Sequence, residues 1–241
     1  MKSFNQELKS TLVAEIRKHR EQDQVIQGAY GTYENGRFRG CAVGCAIHSY
    51  LVAAGEDSVV VGNSEYHEKY KSLFGIPKIL AELQDVIHEG LSDESFPTWP
   101  ERFMEAVPIE TDLSLVFPKF AFWLIVDPVF GMLEHTQDER IKGEVWVAAG
   151  LVDTALSRTQ IPLEVWVTKS HYLLKGCPTA TAAQVVGYLL RVCSPVGIRQ
   201  DIDRAISGAA VVLRNYFGCK EQFYEKCAEK LIELLKAEGN G

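Results

Sequence analysis

Apolar residues recur along this chain at three- and four-residue steps far more often than at alternating ones, which predicts a mainly α protein. Leu8, Leu12, Ile16 and His19 mark an amphipathic helix from about Asn5 to Val25. The pattern then alternates on both sides of Asn35-Gly36, the signal for a two-residue β-hairpin spanning Thr32 to Arg39. A helix follows from Cys41, carrying Val43, Ile47, Tyr50, Leu51 and Ala54 opposite small residues; being apolar nearly all round, it is expected to be buried. After the Val59-Val60-Val61 run, Asn63 or Ser64 is read as the cap of a short helix ending near Phe74. Ile79, Leu80, Leu83, Val86 and Ile87 give the next helix, with His88 in its last turn and Gly90 at its C-cap. Trp99 to Val107 is a helix with proline in its first turn.

Leu113 to Leu133 is apolar apart from Ser114, Lys119 and Asp127. Its longest unbroken run, Phe120 to Val126, is far below the ~20 residues that span a bilayer. It reads as a buried helix capped by Thr111 or Asp112, kinked or split at Pro118 and ended by Asp127-Pro128. Longer helices follow at about Gln137 to Arg158, Leu163 to Leu174, Thr179 to Val192, Ile198 to Phe217 and Lys220 to Ala237, with Cys227 in the core stripe of the last. Breaks fall at Ile161-Pro162, Cys177-Pro178, Ser194-Pro195 and Gly218, and Val165-Trp166-Val167 offers a short strand as an alternative. Short connections between such helices imply a bundle. The chain therefore divides into residues 1–135, irregular and helical with the hairpin, and residues 136–241, bundle-like. The joint lacks the length and Gly/Ser richness of a flexible linker, so a single domain stays open as the alternative.

Composition narrows the function classes. The 241 residues are 46% hydrophobic, enough for an ordinary core, and the net charge is -7 with no basic stripe. Duplex nucleic acid is therefore not an expected partner. Residues Met1 to Arg20 lack the apolar core of a secretory signal, so the expectation is a soluble cytoplasmic protein whose six cysteines are reduced. There is no phosphate-binding glycine loop, no dinucleotide fingerprint, no His-Glu-x-x-His and no Gly-x-Ser-x-Gly. Glu101 and Glu105 are read as a solvated helix face.

Candidate chemistry collects in Gly40-Cys41-Ala42-Val43-Gly44-Cys45-Ala46-Ile47-His48. At about 100° per residue, Cys41, Cys45 and His48 fall at about 0°, 40° and 340° around a helix and share one stripe. As deprotonated Cys and neutral His they suit zinc, with His67 or His19 as a fourth ligand or water in an open position. Alternatively Cys41, in the first turn behind a glycine, is a nucleophile with His48 or His19 as its base, and Asp23 lies four residues from His19. The same residues also read as plain packing groups, since free cysteine is among the most buried residue types.

The string Gly40-Cys41-Ala42-Val43-Gly44-Cys45, then Leu73-Phe74-Gly75-Ile76-Pro77, then Trp99-Pro100-Glu101-Arg102-Phe103 with Ala106-Val107-Pro108, resembles a group of uncharacterised bacterial and phage proteins. The resemblance covers roughly Lys18 to Asp127 and returns weakly at Ala228 to Leu235, which implies that these segments form one unit. It brings no activity. The reading placed first is a helical interaction or regulatory module in a phage or mobile-element setting. Tyr30, Tyr33 and Phe38, interleaved with Arg37 and Arg39, are its first candidate surface, suited to stack on bases or dock a protein groove, and they also read as a solvated turn whose aromatics cross-pair. The alternative is a Cys/His metal-dependent or thiol enzyme centred on Cys41, Cys45 and His48.

Overall fold

In the computed structural model, which describes residues 4–56, 65–176, 181–194 and 199–239, Asn5 opens the first helix by accepting the Leu8 N–H at 3.0 Å. Such a cap is worth about 1 kcal/mol. This helix, α1 (Gln6–Glu21), buries Leu12, Ile16 and His19. It stops short of Val25 because Asp23 turns to φ 54 and the Gln24 N–H returns to the His19 carbonyl. Val25 then pairs as an isolated parallel bridge with Gly40.

Strands β1 (Thr32–Glu34) and β2 (Arg37–Arg39) form the expected hairpin, pairing Tyr33 with Phe38. Its turn holds Asn35 at φ 53 and Gly36 at φ 76, the two left-handed positions that a type I′ turn requires. Helix α2 (Ala42–Ala54) starts one residue later than its sequence suggests, with Cys41 as its N-cap rather than inside its first turn.

Around α2 stand α3 (Tyr66–Phe74), α4 (Lys78–Gly90) and α5 (Trp99–Ala106), the last preceded by a 3-10 turn at Phe96–Thr98. Gly90 is the last residue of α4, not its C-cap, and its role is steric. A Cβ there would lie 2.3 Å from the Tyr224 ring. Glu101 is not a solvated residue either. It is buried and ion-paired to Arg17 at 2.7 Å and Arg20 at 3.3 Å, which ties α5 to α1.

In α6 (Val116–Val126), Pro118 falls in the first turn and neither kinks nor splits the helix. Leu115, not Thr111 or Asp112, is the residue at its N-cap. The Asp127 carboxylate accepts the Val129 and Phe130 N–H groups just beyond it. Asp138 caps α7 (Glu139–Leu156) with two hydrogen bonds. Val165 to Val167 lie within α8 (Leu163–Lys175), so the strand alternative does not form. Helix α9 (Thr181–Cys193) runs beside α8 through Gly187, where a Cβ would meet Leu174 at 2.8 Å. It runs beside α10 (Arg199–Val212) through Gly208, against Val185. The helix expected to reach Phe217 breaks at Leu213, leaving α11 (Arg214–Phe217) as a separate turn before α12 (Lys220–Gly239). The Asn63 or Ser64 cap, the Val59-Val60-Val61 run, Cys177-Pro178 and Pro195 lie outside the described residues.

The chain is thus mainly α with one small hairpin, and it falls into two units. Unit 1 comprises Met1–Leu113 with Tyr224–Gly241, and unit 2 comprises Ser114–Phe223. The boundary is at Ser114 and not near 135/136, and the back half does not stay together. Most of α12 belongs with unit 1 because Tyr224 seats on Gly90 and Pro108 abuts Gly239. Ala228 to Leu235 lies in unit 1, whereas Ser114 to Asp127 lies in unit 2. Among the described residues no helix is long and apolar enough to cross a membrane.

Gly44 fixes the start of α2: a Cβ there would stand 1.4 Å from the Tyr30 carbonyl oxygen, a backbone atom that cannot swing away. Gly44→Ala is expected to cost at least ~3 kcal/mol or to prevent folding, being worse than ordinary overpacking. Gly143→Ala, on α7 with nothing within 4 Å, should stabilise by roughly 0.5–1 kcal/mol through helix propensity. Denaturant midpoints of the two variants check both signs.

Candidate functional site

The three groups of the Cys41, Cys45 and His48 stripe engage three different sets of neighbours. Cys45 is buried and donates its S–H to the Gly40 carbonyl at 3.3 Å. Burial pushes its thiol far above the usual cysteine range, so it is held as a donor and not as a thiolate.

His48 meets His19 instead of a cysteine. His19 Nδ1 faces Gln24 Oε1 at 2.5 Å, and His48 Nδ1 faces His19 Nε2 at 3.1 Å. With the Gln24 oxygen as acceptor, His19 donates from Nδ1, and its Nε2 lone pair accepts the His48 N–H. Both rings are neutral in this arrangement. Burial lowers the pKa of each, and for His48 the second cause is His19 itself, taking it to about 4. Phe38 stacks on His48 with ring centroids 4.0 Å apart and 8° between planes. Phe38 is therefore buried and not part of an exposed aromatic surface, whereas Tyr33 remains 39% exposed.

Cys41 turns toward α4. Its sulfur and the carboxylate oxygens of Asp85 and Glu89 all lie within 4.8 Å of one another, the one such group of ligand-bearing side chains among the described residues. Cys41 and Asp85 are buried and Glu89 is exposed. Asp85 and Glu89 are four residues apart on α4 and share a face. His67, from α3, places Nε2 3.3 Å from Asp85 Oδ2, and the Tyr30 hydroxyl donates to the same oxygen at 3.3 Å. The Gly28 N–H donates to Glu89 Oε2 at 2.8 Å. Of the residues singled out from the sequence, the structure therefore brings Cys41 and His67 to one carboxylate and sets Cys45, His48 and His19 apart from it.

Two opposed effects act on the Cys41 sulfur. Burial raises its pKa most, and the Asp85 charge adds to this; the Gly44 and Val43 backbone N–H groups at the start of α2 pull the other way and lose. Deeper still, Tyr70 is fully buried, and its hydroxyl lies against the side chain of buried Gln84 without a well-formed hydrogen bond. Burial raises the Tyr70 pKa, and Cys41, Asp85 and Cys45 raise it further, while the neighbouring Gln84 amide opposes them.

Sequence reasoning did not single out Asp85, Glu89, Tyr70 or Gln84. Helix α4 is buried nearly all round, so no polar face marked them. His88 stands in the last turn of α4, where a helix dipole favours an imidazolium. It is buried against the Ile26 carbonyl at 2.9 Å, and burial lowers its pKa. Comparisons with protein-family models, with curated proteins and with solved structures find no match for this chain.

The histidine pair predicts a pH dependence of stability. Because the folded pKa of His48 is depressed from the ordinary 6.5 to about 4, the unfolded chain binds the extra proton first as pH falls. The contribution is complete above pH 6.5, shrinks between 6.5 and about 4, and is gone below. The expected result is that the difference in melting temperature between wild type and His48→Gln narrows across that window. A constant difference would refute the neutral pair.

Proposed function

We propose that the chain is an enzyme of the hydrolytic or group-transfer class, with its reaction centre in unit 1 at Cys41. The observation that carries this reading is the convergence of the Cys41 sulfur with the Asp85 and Glu89 carboxylates within 4.8 Å, with Cys41 and Asp85 buried. Interiors seldom hold so many titratable groups in one place unless chemistry needs them. In this reading Cys41 is the reactive sulfur. Asp85 is the buried acid-base group, oriented by His67 and Tyr30, and Glu89 is the carboxylate nearest solvent. A buried thiol beside a carboxylate keeps its proton, so chemistry at this sulfur requires a positive group against it. The free thiols Cys41, Cys45, Cys193, Cys219 and Cys227 support a reducing, cytoplasmic setting.

A second reading, an interaction or regulatory module that docks a protein partner in a phage or mobile-element setting, draws on α7. Trp146 and Val147 are 57% and 52% exposed there, beside Gly143 and Gly150, which have open space next to them. On this reading Trp146→Ser should weaken partner binding without lowering the melting temperature.

The enzyme reading is tested with chromogenic carboxylate-ester, anilide and phosphodiester substrates. Turnover of at least one is expected, falling by roughly 100-fold or more in Asp85→Asn, the scale of a lost acid-base group. Turnover of none, or turnover that Asp85→Asn leaves intact, would count against it.

A further inference from the structure

We infer that the Cys41 sulfur and the carboxylates of Asp85 and Glu89 are the three protein ligands of a single divalent transition-metal ion, zinc by their chemistry, with a fourth position open to water or substrate. The inference rests on the reaction centre proposed above and supplies the positive group that Cys41 needs there.

The geometry fits one ion. Donor atoms bound at ~2.0–2.3 Å to the same zinc cannot be more than about 4.5 Å apart. The three donors here already lie within 4.8 Å of one another, so only a small closing movement separates them from coordination. Two of them stand one helical turn apart on α4, and the third caps α2, so each is carried by a helix rather than by a loose loop. One thiolate with two carboxylates suits zinc or its cobalt(II) surrogate, since magnesium and calcium take oxygen donors alone. Binding replaces the Cys41 S–H proton with the metal, and that proton leaves to solvent.

Two further features point to a ligand. Both carboxylates are oriented by protein donors: Asp85 by the Tyr30 hydroxyl with His67 Nε2 alongside, and Glu89 by the Gly28 amide. This is the arrangement that fixes metal-binding side chains. Independently, the Tyr70 hydroxyl is fully buried against the Gln84 side chain without a well-formed hydrogen bond, and Cys41 and Asp85 are close enough to act on it electrostatically. Buried hydroxyls are rarely left so, and an oxygen in the open metal position is the partner that this proposal supplies for Tyr70. His67 is a positioning residue in this scheme, acting through Asp85, while Cys45 and His48 lie outside the ligand set.

The test is titration of chelator-treated protein with cobalt(II). One equivalent should produce the intense near-ultraviolet band of a thiolate bound to cobalt. Cys41→Ser should abolish the band and Cys45→Ser should leave it. Glu89→Gln, at an exposed position that tolerates change, should weaken binding by at least ~10-fold, and His67→Gln by ~10–100-fold. Zinc should compete for the same single equivalent by elemental analysis. Absence of the band, its survival in Cys41→Ser, or unchanged affinity in Glu89→Gln would overturn the site. The two readings separate cleanly: turnover that needs Cys41 without metal binding would leave the reaction centre standing with sulfur as a nucleophile. Metal binding without turnover would leave the site and remove the enzyme.

Discussion

The contact on which unit 1 depends is between backbone and backbone. The Tyr30 carbonyl oxygen comes so close to Gly40 and Gly44 that a Cβ at either would stand 2.5 or 1.4 Å from it. Only glycine permits that approach, and it pins the segment from Gly28 to Tyr30 across the start of α2. The consequences run outward from there. The Cys41 N–H reaches the Ala29 carbonyl at 2.7 Å, which fixes the cap and so the direction of the thiol. The same segment carries the Tyr30 hydroxyl to Asp85 and the Gly28 amide to Glu89. One steric permission thus sets the sulfur and both carboxylates relative to each other.

Within this frame, burial decides protonation. Cys45, Cys193, Cys227, Tyr70, His19, His48 and His88 are all moved toward their neutral forms, with burial the largest cause in each. Helix dipoles are weak beside this, worth about 0.3–1 kcal/mol at an exposed terminus. That is why His88 is not the cation its place in the last turn of α4 suggests. It is also why the two amides at the start of α2 do not ionise Cys41. Position at a helix end proposes a charge, and the dielectric around it disposes.

Much of the fold was legible because its signals are local. Asn35-Gly36 specifies a turn that few other dipeptides make, Asn5 and Asp138 cap helices through their own side chains, and three- and four-residue periodicity carries α1, α7 and α8. The misplaced features depend on distant partners. Gly90 looked like a C-cap but answers to Tyr224, over a hundred positions away in sequence. Glu101 looked solvated but meets Arg17 and Arg20 on α1. The unit boundary escaped for the same reason, since α12 returns to the front of the chain. Of the site, Cys41 and His67 were visible as residue types, but the stripe argument joined Cys41 to the wrong neighbours. Sharing a helical face does not make side chains converge when one caps the helix and the others point along its flank.

The polar residues of α4 show how packing and chemistry are to be told apart. Glu82, Gln84, Asp85 and His88 are all buried on a helix that could have been filled with apolar side chains. His88 Nε2 meets the Ile26 carbonyl, which joins α4 to the chain after α1, while its Nδ1 has no partner, and the Gln27 amide donates to the His88 carbonyl. Glu82 lies 4.0 Å from Lys78 one turn back. These two stabilise the unit. Gln84 instead holds its side-chain amide in the interior against the Tyr70 hydroxyl of α3 without a well-formed hydrogen bond, and an unsatisfied buried group costs about 1–3 kcal/mol. Cys41 and Asp85 both act electrostatically on Tyr70. On the proposal of a metal site, an oxygen held at the open position gives the Tyr70 hydroxyl a partner that packing alone does not supply.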